Sequence, residues 1–155
     1  LNILNNEISG FQKNGISLNA NDTTPIIGNI SGNTVTGAGP TTVTAQNGIQ
    51  VWGKLATGVV SNNTISGIYY INSEGASQYW TATSILNYLS EDLEISGNTI
   101  IDGQYGIYSF GTNTDILNAR FLPSRKIISS LSILLPSTSS NSSLCAQPGT
   151  TSSRS

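Results

Sequence analysis

The chain has 155 residues and 16.3 kDa, and only 9% of it is charged, against roughly 25% in an ordinary soluble domain. Six basic residues, scattered rather than clustered, and eight acidic ones give a net charge of −2 and a pI near 4.8, which removes nucleic acid as a partner. There is no His, so imidazole cannot serve as base or metal ligand, and the single Cys145 has no intramolecular disulfide partner.

The chain starts inside a repeat, which predicts a fragment or processed segment. These residues hold neither a signal peptide nor an apolar stretch of membrane-spanning length, and in a fragment that absence carries nothing.

The first copy of the repeat is ILNNEI at 3–8, followed by Gly15-Ile16-Ser17-Leu18, which reads as a strand with Ile16 and Leu18 inward. Asn19 to Pro25 has the composition of a turn or loop. The second copy is ISGNTV at 30–35, with Ala38 to Gln46 as a Gly-Pro and Thr-rich loop and Gly48-Ile49-Gln50-Val51 as its following strand. The third is VSNNTI at 60–65, and it is expected to carry a long insertion from Asn72 to Glu91 with Tyr79-Trp80 at its middle. ISGNTI at 95–100 is the fourth, followed by Gly106-Ile107-Tyr108-Ser109. A fifth corner is read at ILNARF, 116–121, with Ala119 in the place of an Asn.

The unit has a physical meaning. Asn5, Gly32, Asn62 and Gly97 share a slot that admits only Gly and Asn, the residues that most readily take a positive φ, so the slot is a left-handed bend. The next slot is Asn each time, at Asn6, Asn33, Asn63 and Asn98, spaced 27, 30 and 35 residues apart. Stacked one repeat above another, these amides are predicted to form an inward hydrogen-bonded ladder, with the flanking aliphatics in the core.

This run of corners followed by Gly-Ile strands resembles the right-handed parallel β-helix repeats of pectate-lyase-like proteins, over residues 1–121. The resemblance implies an all-β, single-stranded parallel β-helix of four to five rungs. It also implies an extracellular, cell-surface or periplasmic location and activities that range from sugar binding to sugar cleavage, since many functions share the scaffold. Calcium enters by resemblance alone; the residues themselves indicate no cofactor or metal. Residues 122–155 are a Ser-rich tail. Within it Ile127, Ile128, Leu131, Leu134 and Leu135 fall on one helical face, so 124–136 reads either as a capping helix or as disorder, with disorder beyond.

Aligned at their Gly-Ile, the strands put Ser17, Gln50 and Tyr108 in one outward column and Asn19, Trp52 and Phe110 in the next. Ile68-Tyr69-Tyr70-Ile71 is expected near this place in the third repeat. Gln50, Trp52, Lys54, Tyr69, Tyr79, Trp80, Tyr108 and Phe110 are therefore the candidate polysaccharide-binding residues. Sugar rings lay their C–H faces on aromatic planes while hydroxyls meet amides and Ser. The competing structural reading covers Trp52 and Phe110 with the third-repeat insertion.

A lyase or hydrolase needs converging carboxylates, and Glu7, Asp22, Glu74, Glu91, Asp92, Glu94, Asp102 and Asp115 form no visible cluster. A Thr column at Thr34, Thr64 and Thr99 is similar to ice-binding arrays. Glu7 and Ile101 interrupt it, and strand preference for β-branched residues accounts for it. Asn21-Asp-Thr, Asn29-Ile-Ser, Asn62-Asn-Thr and Asn141-Ser-Ser match the N-glycosylation acceptor pattern, as chance allows in so Asn- and Thr-rich a chain. The expectation is a polysaccharide-binding face with no assignable catalytic residue. A catalytic β-helix whose active rungs lie elsewhere and a structural spacer or adhesin stalk are the rivals. Oligomeric state is not legible.

Overall fold

A chain built from short β-branched runs punctuated by Gly and Asn favours extended segments and sharp corners. The computed structural model describes residues 1–75 and 79–122, and every regular element there is a strand. In chain order these are β1 (Asn2–Leu4), β2 (Glu7–Ser9), β3 (Asn14–Asn19), β4 (Ile26–Ser31), β5 (Thr34–Thr41) and β6 (Asn47–Trp52). There follow β7 (Ala56–Ser61), β8 (Thr64–Tyr70), β9 (Thr83–Ser96), β10 (Thr99–Ile101), β11 (Tyr105–Leu117) and β12 (Arg120–Leu122). The capping helix expected at 124–136 and the tail beyond it lie outside the described residues.

The strands pair in parallel and fall into three stacks. β1, β4, β7 and the C-terminal halves of β9 and β11 form the first. β2, β5, β8, β10 and β12 form the second, a five-stranded sheet. β3, β6 and the N-terminal halves of β9 and β11 form the third. Because β9 and β11 run through both the first and third stacks, those two join as one seven-stranded sheet.

Register brings like residues of successive repeats face to face. Ile3, Ile30, Val60, Ile95 and Ile116 align in the first stack. Ile8, Val35, Ile65, Ile100 and Phe121 align in the second, and Ile16, Ile49, Ile85 and Ile107 in the third. These three columns converge on one core, whose central members are fully buried. Each aliphatic enclosed in this way contributes roughly 1.5–3 kcal/mol.

The corner between the first and second stacks is a left-handed bend, as its residues predict. Asn5, Gly32, Asn62, Gly97 and Asn118 have φ of 55°, 69°, 54°, 61° and 52°. The fifth corner is thereby present, with β12 leaving it in register with β10. Asn and Gly alternate in this column for a steric reason: the Asn5 and Asn62 amide oxygens lie over Gly32 and Gly97, where a Cβ would stand.

The adjoining Asn column is the expected ladder. Asn33 Oδ1 accepts both the backbone N–H and the Nδ2–H of Asn6, each at 2.9 Å. Asn63 Oδ1 accepts the same pair from Asn33 at 2.9 Å, and Asn98 Oδ1 the same pair from Asn63 at 3.0 and 2.9 Å. The other Nδ2 hydrogen turns back one repeat, from Asn33 to the Ile3 carbonyl, Asn63 to Ile30 and Asn98 to Val60, at 2.8–2.9 Å. Asn33, Asn63 and Asn98 are fully buried, and the column ends at Ala119, whose methyl can accept nothing.

One expectation is corrected. Residues 72–91 are not a single excursion from the third repeat: Thr83–Tyr88, the first half of β9, is that repeat's own strand in the third stack, paired with β6 and β11. The irregular connection is confined to the stretch between β8 and β9. The Gly-Ile signature is hidden because Ser84 stands where the other repeats have Gly15, Gly48 and Gly106. Beyond it Asn87 replaces an aliphatic in the inward column of Leu18 and Val51. Asn87 finds one partner close in the chain and another in the next repeat: its Oδ1 accepts Ser90 N–H at 2.9 Å and its Nδ2 donates to Thr114 Oγ1 at 2.7 Å.

Asn63→Ala removes one ladder rung: the backbone and side-chain N–H groups of Asn33 lose their shared acceptor, and the Ile30 carbonyl and Asn98 Oδ1 each lose the Nδ2 donor. At ~1–3 kcal/mol per buried unsatisfied group, the expected loss is about 3–5 kcal/mol. Asn6→Ala, at the exposed end, should cost less than about 1 kcal/mol. Equal urea midpoints for the two variants would show that the ladder does not hold the stack together.

At Gly97, an added Cβ would lie 2.5 Å from Asn62 Oδ1. Gly97→Ala is expected to cost at least ~1–2 kcal/mol, the ordinary penalty of a left-handed L-residue. Combining it with Asn62→Gly should cost less than the two single changes added together. A strictly additive thermal double-mutant cycle would refute the contact.

Candidate functional site

The outward faces of the third stack carry the large exposed aromatics, and strand alternation puts them there. With Ile16, Ile49, Ile85 and Ile107 committed inward, residues one and three positions later must face solvent. Register then aligns Ser17, Gln50, Leu86 and Tyr108 in one column, and Asn19, Trp52, Tyr88 and Phe110 in the next.

In the second column the rings touch across repeats. Tyr88 stacks on Phe110 with centroids 5.7 Å apart and planes 23° from parallel, and meets Trp52 edge-on at 6.4 Å and 70°. Trp52 and Phe110 are 48% and 49% exposed, which decides against their being covered by the β8–β9 connection.

Beside this strip lies a groove of about 420 Å³. Trp52, Tyr88, Tyr108 and Trp80 supply its aromatic lining, Gln50 and Asn47 its amides, and Lys13 its one charge. Trp80 is held in place by its backbone. Asn72 accepts Trp80 N–H and donates to the Trp80 carbonyl, both at 2.8 Å. Two residues on, Gln104 Oε1 accepts the N–H of Ala82 at 2.8 Å and that of Tyr70 at 3.1 Å. The connection is thus pinned at the indole-bearing residue and again two residues later, and ordering it in advance lowers the entropy cost of engaging a ligand.

The polar side of the groove is a connected amide network. Asn47 Nδ2 donates to Asn14 Oδ1 at 3.2 Å and to Gln50 Oε1 at 3.0 Å. Gln50 Nε2 and Ser17 Oγ both donate to Asn19 Oδ1, at 3.4 and 2.9 Å. The Lys13 ammonium donates to the Ala45 carbonyl, and loss of solvent there lowers its pKa from the ordinary lysine value.

Of the candidate residues, Gln50, Trp52, Trp80 and Tyr108 line the groove, and Phe110 extends the strip beyond it. Tyr79 is exposed beside Trp80, and Lys54 sits exposed in the turn after Trp52, outside the groove lining. Tyr69 is elsewhere: it lies in β8 opposite Pro40, in the five-stranded sheet. Its expected place is taken by Leu86 and Tyr88. Those two, with Thr83, were missed because the third-repeat strand lacks the Gly-Ile that anchors the alignment, and Lys13 and Asn47 because they precede the Gly-Ile from which the outward columns were counted.

Among the described residues no carboxylate lines the groove. Glu94 and Asp115 are neighbours in register, but on the first stack, where Glu94 Oε1 accepts a hydrogen bond from Ser96 Oγ at 2.6 Å. Among the described residues no three His, Cys, Asp or Glu side chains group as metal ligands. No described helix is long and apolar enough to cross a membrane. No family model, curated protein or solved structure matches the chain.

Both tryptophans of the chain, Trp52 and Trp80, face solvent in this one site. Their emission should be red-shifted and almost fully quenched by acrylamide in the free protein. A substantial unquenchable fraction in the folded protein would contradict the exposed strip.

Proposed function

We propose that the chain is a right-handed parallel β-helix of an extracellular or cell-surface protein, and that its third stack binds polysaccharide along the aromatic strip. The handedness follows from the strong preference of parallel strand crossovers for the right-handed connection. The observation that carries the binding reading is the half-exposed column Trp52–Tyr88–Phe110 running beside a groove with an amide network on its other side.

A saccharide has apolar ring faces and a polar hydroxyl rim, and it needs both surfaces at once. Sites that pair aromatic walls with a few placed polar groups meet that need. The strip crosses three successive strands about 4.8 Å apart, so its long dimension lies across the strands and suits an extended chain rather than a single sugar. The groove's lack of a carboxylate supports binding over hydrolysis or elimination at this place.

Affinity electrophoresis in gels containing β-glucan, galactomannan or polygalacturonate tests the reading. At least one polymer should retard the protein. Trp52→Ala and Tyr88→Ala should each weaken that retardation about tenfold, equivalent to ~1.4 kcal/mol. Tyr69→Ala, on the other sheet, should leave it unchanged. No retardation by any of the three polymers, or equal loss with Tyr69→Ala, would remove the proposal.

A further inference from the structure

We propose that Asn21 is an N-glycosylation site, and that the acceptor patterns at Asn29 and Asn62 are not. The inference rests on the export part of the proposed function and is independent of what the aromatic strip binds.

N-linked transfer needs the Asn amide nitrogen exposed and the hydroxyl two residues later close to the same amide. In the transfer, Asn21 Nδ2 attacks C1 of a polyprenyl-diphosphate-linked oligosaccharide. The N–C1 bond forms, the C1–O bond breaks, the lipid diphosphate leaves with the bonding pair, and Nδ2 gives up one proton to the transferase base.

The structure separates the three described matches. Asn21 lies in the loop between β3 and β4, and all its residues from 21 to 25 are exposed. Its Oδ1 accepts Thr23 Oγ1–H and Thr23 N–H at 3.0 Å and Thr24 N–H at 2.7 Å. This compact Asx turn engages the carbonyl end of the amide, brings the Thr23 hydroxyl to it and leaves Nδ2 facing solvent. All of its bonds span two or three residues, so it can form on an emerging chain before any repeat has stacked.

Asn29 and Asn62 are exposed as well, but neither sits in a turn of this kind. Asn29 is inside β4, with its backbone N–H bonded to the Leu1 carbonyl at 2.8 Å and parallel strands on both sides. The hydroxyl two residues on, Ser31 Oγ, is engaged across the sheet, where it accepts a hydrogen bond from Ser61 Oγ at 3.1 Å. Asn62 is the left-handed corner residue at φ 54°, with its Oδ1 lying over Gly97 and its N–H bonded to the Ser96 carbonyl at 3.0 Å. A glycan on that amide would sit against the next corner of the stack.

The test directs the full chain through a eukaryotic secretory pathway and maps occupied asparagines by enzymatic deglycosylation in heavy-oxygen water and peptide mass spectrometry. Occupancy is expected at Asn21 and absent at Asn29 and Asn62. Asn21→Gln and Thr23→Ala should abolish the label on that peptide, and Thr23→Ser should retain it. The occupied protein should keep the circular dichroism and melting temperature of the enzymatically deglycosylated form. An unoccupied Asn21 in secreted, folded protein, or occupancy at Asn29 or Asn62 equal to that at Asn21, overturns the proposal.

Discussion

The hydrogen bond from one corner Asn to the next is the constraint on which the structure depends. A left-handed corner turns backbone N–H groups inward, where no strand can meet them. The ladder answers this by giving each Oδ1 two donors from the repeat before it. Its geometry is demanding: the amide must stand one strand spacing above its neighbour, so it fixes the register of the first and second stacks together. A shift of one residue would turn every aliphatic of those stacks outward. Irregular chain length between repeats is therefore tolerated only away from this corner, and the variable connections all lie on the second-to-third and third-to-first sides.

The same logic explains what the amino-acid sequence disclosed and what it concealed. Corners were legible because a positive φ and a buried amide each admit very few residues: Asn5, Gly32, Asn62, Gly97 and Asn118 satisfy the first condition, and Asn33, Asn63 and Asn98 the second, with Asn6 continuing their column at its exposed end. The third-stack strands were legible only where Gly precedes the inward Ile. At Ser84-Ile85 that cue fails, although the strand is present and paired on both edges. Inside β9, the polar Asn87 breaks the expected apolar alternation because its partners are other polar side chains, Ser109 and Thr114, brought near only by the fold. Long-range satisfaction of this kind leaves no local signature. The candidate site inherited the gap: Trp52 and Phe110 were found, and Tyr88, which joins them, was not.

The three stacks have divided their outward faces. The second presents Thr34, Thr64 and Thr99, flanked by Glu7 and Arg120, a polar surface that β-branched strand preference is enough to explain. The first carries Asn29, Val59, Glu94 and Asp115 in one column, without aromatic rings. Among the described residues, only the third gathers rings in contact across repeats. It is also the stack whose preceding connections carry added residues, Thr42 to Gln46 (β5 runs on to Thr41, through the first part of the loop expected at Ala38 to Gln46) and the β8–β9 stretch, which supply Ala45, Trp80 and Thr81 to the groove.

That coincidence follows from the physics of a stacked repeat. Interior positions are fixed by the core and the corner by the ladder, so variation is confined to outward residues and to connections that do not cross the ladder. A connection lengthened at one repeat hangs over the neighbouring outward column and makes a wall, and the wall makes a groove where a flat sheet alone would offer only a plane. The Gln104–Ala82 hydrogen bond ties this wall to the following repeat, and the Asn72–Trp80 pair closes the wall on itself. The wall is thereby held by the same device as the scaffold, a side-chain amide that satisfies the backbone of another segment.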